Sequence, residues 1–87
     1  MASFKATITD PVGLHARPAS VISKEASKFA SDIKIKSGEK EGNLKSIMNV
    51  MALAVKQGAE VEIVAEGADA ADAIASLEKV MKENNLI

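Results

Sequence analysis

The only histidine of the chain, His15, lies in the stretch DPVGLHARPAS, Asp10 to Ser20. Gly13 stands two residues before it, Arg17 two after and Pro18 three after. Glycine accepts positive φ in a turn, and proline belongs in the first turn of a helix, where a missing N–H costs nothing. An imidazole between them therefore sits where a turn becomes a helix. The N–H groups of Ala16 and Arg17 then have no intrahelical acceptor and point outwards with the positive end of the helix dipole. Such a place binds anions. Arg17 adds a permanent cation whose planar fork suits phosphate oxygens. An unperturbed imidazole titrates near about pH 6.5, so much of it is neutral and nucleophilic at physiological pH. It can attack a phosphoryl group and hold it covalently, with the amides of Ala16 and Arg17 and the Arg17 side chain around the oxygens. The helix end contributes only ~0.3–1 kcal/mol per exposed charge. That modest grip suits a group that must be handed on.

Other chemistries fit these residues less well. A lone histidine is commonly a surface residue or a tolerated cap. As a metal ligand it would need carboxylates alone, since the chain has no cysteine and no second histidine. No serine lies in a nucleophile elbow. One histidine with one arginine offers no acid–base pair for an autonomous enzyme.

The elements that must position His15 follow from periodicity. SFKATIT alternates, with Phe4, Ala6 and Ile8 on one side, which predicts a strand. DPVG predicts a turn. From Ala16 the period becomes helical: Ala19, Ile22, Ala26, Phe29 and Ala30 share one face, while Ser20, Ser23, Lys24, Ser27 and Lys28 lie outside it. This helix is expected to start near His15 and stop near Ala30. DIKIK alternates again, and SGEKEGN predicts a hairpin-like turn with a short strand around Lys40. Ser46 is a suitable N-cap for a helix over IMNVMALAV. GAEVEIVAEG predicts a strand with Val61, Ile63 and Ala65 inward and Glu60, Glu62 and Glu66 outward. Asp69 is expected to cap a last helix, with Asp72 completing a box-like start. Its stripe is Ala70, Ala73, Ile74, Leu77, Val80 and Met81. Strands polar on one face predict an antiparallel sheet with all helices stacked on its apolar face, an α+β sandwich of two layers.

The helix after Ser46 has more apolar surface than so small a domain can bury. Val50, Leu53 and Ala54 share the expected core face; Ile47, Met48, Met51 and Ala52 lie on the other. An exposed apolar face marks a partner site, and methionines suit a surface that accepts several partners. The alternative is a fully buried helix. A phosphoryl group on Ser46 would meet the helix dipole favourably and add about −1.5 to −2 charges beside that face. Docking would change while the fold would not.

Composition bounds the rest. The chain has 87 residues, which suits one domain over 1–87. Aromatic residues are only 2%, so stacking platforms for single-stranded nucleic acid are missing, and a net charge of −1 offers no basic field for DNA or RNA. No apolar run approaches the about 18 residues expected of a membrane helix. The start, MASFKATITD, lacks the apolar core of a secretory signal, and the absence of cysteine fits a reducing compartment. The expectation is a soluble, cytoplasmic monomer without a cofactor or a bound metal.

GLHARPAS and NLKSIM, in this order and spacing, resemble the HPr family, the phosphocarriers of the bacterial phosphoenolpyruvate:sugar phosphotransferase system. The resemblance spans essentially the whole chain. It implies an open-faced β-sandwich of βαββαβα order, four antiparallel strands in the order 1-4-2-3 with three helices on one side. It implies that His15 takes a phosphoryl group on Nδ1 from phosphorylated Enzyme I and passes it to the IIA domain of a sugar permease, with Arg17 supporting the group. NLKSIM is similar to the serine-regulated members typical of low-GC Gram-positive bacteria. There the resemblance implies that Ser46 is phosphorylated from ATP by HPr kinase/phosphorylase, and that this form reacts poorly with Enzyme I and binds a catabolite-control transcription regulator. Ile47, Met48 and Met51, with Ala16 and Ser20, resemble the shared docking surface. One departure is Val12, where the family often has a small polar residue; it leaves the loop's hydrogen bonding open. Further readings are a regulator acting only through phosphoserine, a nitrogen-branch carrier and a small-molecule-binding sandwich. The presence of His15 speaks against the first, the Ser46 motif against the second, and the His15–Arg17–Pro18 arrangement against the third.

Overall fold

Strands that alternate apolar and polar residues need cover on one face only, and the chain supplies three helices to provide it. The computed structural model describes residues 1–87. Its elements are β1 (Ala2–Thr7), α1 (Ala16–Ala26), β2 (Asp32–Ser37), β3 (Lys40–Asn43), α2 (Ile47–Ala52), β4 (Glu60–Glu66) and α3 (Ala70–Glu83). The strands form one antiparallel sheet in the order β1-β4-β2-β3. The helices contact one another, α1 meeting both α2 and α3, and α3 lies over β1 and β4. This is the open-faced sandwich of four antiparallel strands and three helices.

Register explains the two faces. Phe4 lies opposite Ile63, and Ile63 opposite Ile35, so apolar side chains cross three strands in one row. The neighbouring row faces solvent and alternates in sign: Lys5 opposite Glu62, Glu62 opposite Lys36, Lys36 opposite Glu41. Opposite charges at facing cross-strand positions contribute about 0.2–1 kcal/mol each. The apolar side joins Ile22 of α1, Val50 of α2 and Leu77 and Met81 of α3 in one contiguous core.

The structure departs from periodicity at three places. First, α1 stops at Ala26 rather than near Ala30, and Phe29 is half-buried while Ala30 is exposed. Competing bonds end the helix. The Ser27 hydroxyl donates to the Ser23 carbonyl, the Phe29 N–H reaches back only to Ala26, and a carboxylate from elsewhere takes the N–H groups of Ala30 and Ser31. Ser23, expected outside, is buried against the crease between α1 and α2. Second, α2 ends at Ala52, and Ala54, expected in the core, is exposed with φ +52. Leu53 ends the helix in helical conformation and Ala54 follows in the left-handed one, so the chain turns out of the helix at Ala54 while Leu53 and Val55 on either side are buried.

Third, Asp69 occupies the N-cap position of α3 without capping it through its side chain. Its carboxylate is the group that captures the end of α1: it accepts from the N–H groups of Ala30 (2.9 Å) and Ser31 (3.0 Å) and from the Ser31 hydroxyl. Three donors on one loop outcompete one helix amide, and Asp72 is left in the first turn to complement the dipole. The Ser31 hydroxyl, and then the Ala30 N–H, hold the Asp69 carboxyl below its ordinary value of 3.8. A carboxyl whose value is lowered on folding contributes stability that is complete above its unfolded value and is lost as pH falls through the folded one. Asp69→Asn is therefore expected to be less stable than the parent at neutral pH, with the difference shrinking as the pH falls below about 4. Urea midpoints measured across the acid range check this; a constant difference between the two proteins would refute it.

Candidate functional site

The loop before α1 is organised by Asp10. Its carbonyl accepts from the Gly13 N–H (2.9 Å) and its Oδ1 accepts from the Val12 N–H (2.9 Å), a turn closed by backbone and side chain together. Val12 thus serves the loop through its backbone, and its exposed valine side chain takes no part in that bond. Gly13 has φ +82, and a Cβ there would lie 2.3 Å from the Val55 carbonyl oxygen and 2.8 Å from Lys56 Cα. Directly after this contact the Leu14 N–H donates to the Val55 carbonyl (3.0 Å), and the Leu14 side chain is buried. His15 follows a residue fixed in both backbone and side chain.

His15 is the N-cap of α1, in extended conformation, and its carbonyl accepts from the Ala19 N–H (2.9 Å). Its imidazole makes no capping bond and is 37% exposed, with Nε2 standing 3.8 Å from Asp10 Oδ1. Neither the Ala16 nor the Arg17 N–H meets an acceptor within the chain. Arg17 is exposed and takes part in no ion pair. Pro18 is buried in the first turn and holds it in shape. An exposed nucleophilic ring, two open amides and a free guanidinium therefore lie within three consecutive residues, a combination able to form a bond to phosphorus and surround the phosphoryl oxygens. Asp10 is the member that sequence reasoning missed. The signal was an aspartate opening a turn, read only as turn chemistry.

The second group of residues gathers at α2. The Ser46 hydroxyl accepts from the Asn49 N–H (3.2 Å) and from Asn49 Nδ2 (3.1 Å), the expected cap. Val50 and Leu53 face the core. Ile47, Met48 and Met51 are exposed, Met48 to 77%, and Ala52 is exposed beside them. Ala16 and Ser20 are exposed on α1. A shallow depression of about 320 Å³ runs between the two helices, and Ser20, Lys24, Lys45, Ser46 and Met48 are among its walls. His15 is not part of it. The structure thus brings Ser20 to Ser46 and Met48 while leaving the imidazole outside their crease. No cluster of three or more histidine, aspartate or glutamate side chains is placed to hold a metal ion, and no helix is long and apolar enough to cross a membrane.

A four-stranded antiparallel sheet backed by three helices, with a solvent-accessible histidine at a helix start, has the form of the small histidine phosphocarriers. The chain matches the family model described as the PTS HPr component phosphorylation site over residues 2–83. It is 61% identical over 87 residues to the phosphocarrier protein HPr of Mycoplasma capricolum, covering 100% of this chain and 98% of that protein. A solved histidine-containing phosphocarrier protein from Mycoplasma superposes with a TM-score of 0.97 at 60% identity, covering 99% of this chain and 98% of the other. Crh of Bacillus subtilis, a catabolite-repression protein crystallised as a swapped dimer, gives a TM-score of 0.76 at 38% identity with 100% of both chains covered. The chain belongs to the HPr family, the phosphocarriers of the phosphotransferase system.

The loop geometry makes Gly13 the residue with least freedom. Gly13→Ala is expected to lower stability by roughly 2–4 kcal/mol, since the positive φ alone costs about 1–2 kcal/mol and the backbone contact with Val55 cannot yield cheaply. Chemical denaturation measures it, and a loss under about 0.5 kcal/mol, typical of an unconstrained surface site, would contradict the stated geometry.

Proposed function

We propose that His15 is the phosphoryl acceptor of this carrier. The observation that supports it best is an imidazole unengaged by any cap, at a helix start whose first amides have no acceptor in the chain. The phosphoryl group comes from phosphorylated Enzyme I, itself charged by phosphoenolpyruvate, and goes on to the IIA domains of sugar permeases. Nδ1 carries it. The N–H groups of Ala16 and Arg17 and the Arg17 guanidinium face the phosphoryl oxygens and share their charge. The protein turns over no substrate of its own: it acts as a transient covalent intermediate, a monomeric single domain over residues 1–87, in the cytoplasm and without a cofactor.

Partners dock on Ala16 and Ser20 of α1 and on Ile47, Met48, Met51 and Ala52 of α2. Exposure of large apolar side chains on so small a surface supports this use. Ser46 is the regulatory site, phosphorylated by HPr kinase/phosphorylase, and its phosphorylated form is read by a catabolite-control transcription regulator. The likeness to Crh and the position of Ser46 in the crease beside Met48 support this reading. A phosphoserine there sets about two negative charges against the docking face.

Incubation with Enzyme I and phosphoenolpyruvate is expected to add one acid-labile, base-stable phosphoryl group, seen by intact mass, and His15→Ala is expected to take none. Equal labelling of the alanine variant would refute the assignment. Ser46→Asp is expected to slow phosphorylation at His15 while leaving the melting profile nearly unchanged. Transfer kinetics equal to the parent's would remove the regulatory reading.

A further inference from the structure

Asp10 does more than a turn requires. Its backbone carbonyl already closes the loop by accepting from the Gly13 N–H. Its side chain, only 12% exposed, is held in place because Oδ1 accepts from the Val12 N–H at 2.9 Å, and that same oxygen stands 3.8 Å from Nε2 of His15. The separation is too long for a direct hydrogen bond and short enough for the carboxylate charge to bear on the ring nitrogen it faces. The other ion pairs of the chain join Lys28 to Glu25, Lys34 to Glu41 and Lys82 to Glu78, so Asp10 is the one charged partner of the imidazole.

A fixed carboxylate facing one ring nitrogen acts on the other. It favours the neutral tautomer with its proton on Nε2, the arrangement by which a carboxylate orients a catalytic imidazole. The lone pair then lies on Nδ1. We infer that Asp10 is a positioning residue for phosphoryl transfer: it keeps the proton on Nε2 of His15 and so presents Nδ1 as the nucleophile. This inference rests on His15 being the phosphoryl acceptor.

The bookkeeping of charge gives Asp10 a second effect. As the Nδ1 lone pair forms its bond to phosphorus, the donor's bond to phosphorus breaks and its electron pair stays with the donor. Nε2 keeps its proton, so the ring acquires one positive charge. The Asp10 carboxylate faces the nitrogen over which that charge spreads. On onward transfer the electron pair of the N–P bond returns to Nδ1, and the ring leaves as neutral imidazole. One fixed anion thus favours formation of the phosphorylated ring without placing any group in the path of the next acceptor.

Two substitutions separate charge from loop shape. Asp10→Asn keeps an oxygen for the Val12 N–H and removes the charge; Asp10→Ala removes both. Asp10→Asn is expected to accept the phosphoryl group from phosphorylated Enzyme I roughly five- to tenfold more slowly, with an unchanged KM for the carrier. ¹⁵N spectra of labelled His15 are expected to show a smaller fraction of the Nε2–H tautomer in Asp10→Asn. An unchanged tautomer population or an unchanged rate in Asp10→Asn overturns the inference, even if Asp10→Ala is impaired through its loop. A parent protein that takes no phosphoryl group, or a His15→Ala variant that does, defeats the acceptor assignment instead. The tautomer measurement needs no Enzyme I and tests the orientation in either event.

Discussion

The site depends on one close approach, the backbone of Gly13 pressed against the backbone at Val55 and Lys56. Only a residue without a Cβ fits there, and the same contact lets the Leu14 N–H reach the Val55 carbonyl. Leu14 is then driven into the core, and His15, next in line, has its backbone set before its side chain has any role. The contact partner is the segment leaving α2, so the loop before His15 and the helix bearing the exposed methionines are tied by backbone rather than by side chains that could repack. The left-handed turn at Ala54 belongs to the same device, because it lets Leu53 and Val55 both point inward just before the contact.

The one-sided sheet decides where function can lie. Its solvent face carries a row of charges alternating in sign from β1 to β3, which neutralise one another and leave little field for a partner. The start of α1 and the outer side of α2 lie instead in the helical layer, where the crease between the two helices gathers Ser20, Ser46 and Met48. A carrier needs a covalent site and a docking face that a donor and an acceptor use in turn. Here the imidazole stands at the start of α1, outside the depression that Ser20 shares with Ser46 and Met48. In the proposed role, open amides and one exposed guanidinium would hold a phosphoryl group only modestly, which suits its onward transfer.

Much of this was legible in the residues. Alternation located β1, β2 and β4, the polar, glycine-containing hairpin signal located the short β3, and the hydrophobic stripes located the helices. The capping role of Ser46 followed from the preference of serine for the N-cap, and the exposure of Ile47, Met48 and Met51 from the surplus of apolar residues on a short helix. What periodicity missed were competitions. The stripe of α1 runs on to Phe29 and Ala30, but the Asp69 carboxylate, far away in sequence, takes the N–H groups of Ala30 and Ser31. Asp69 has a local use as a helix cap and a distant one at this loop, and nothing near it in sequence says which wins. Ala54 is a similar case: the helical pattern runs on in the residues where the chain has already left the helix through a left-handed turn.

The sequence by itself determined the elements, the one-sided sheet and the chemistry open to His15, because periodicity, a glycine, a proline and a lone imidazole act over a few residues. Tertiary structure alone decided that Gly13 would touch Val55, that Asp69 would end α1, and that the carboxylate of Asp10 would face Nε2 of His15. Those outcomes depend on which distant backbone arrives within a few ångströms, and hydrogen bonds and charges become selective only at that range.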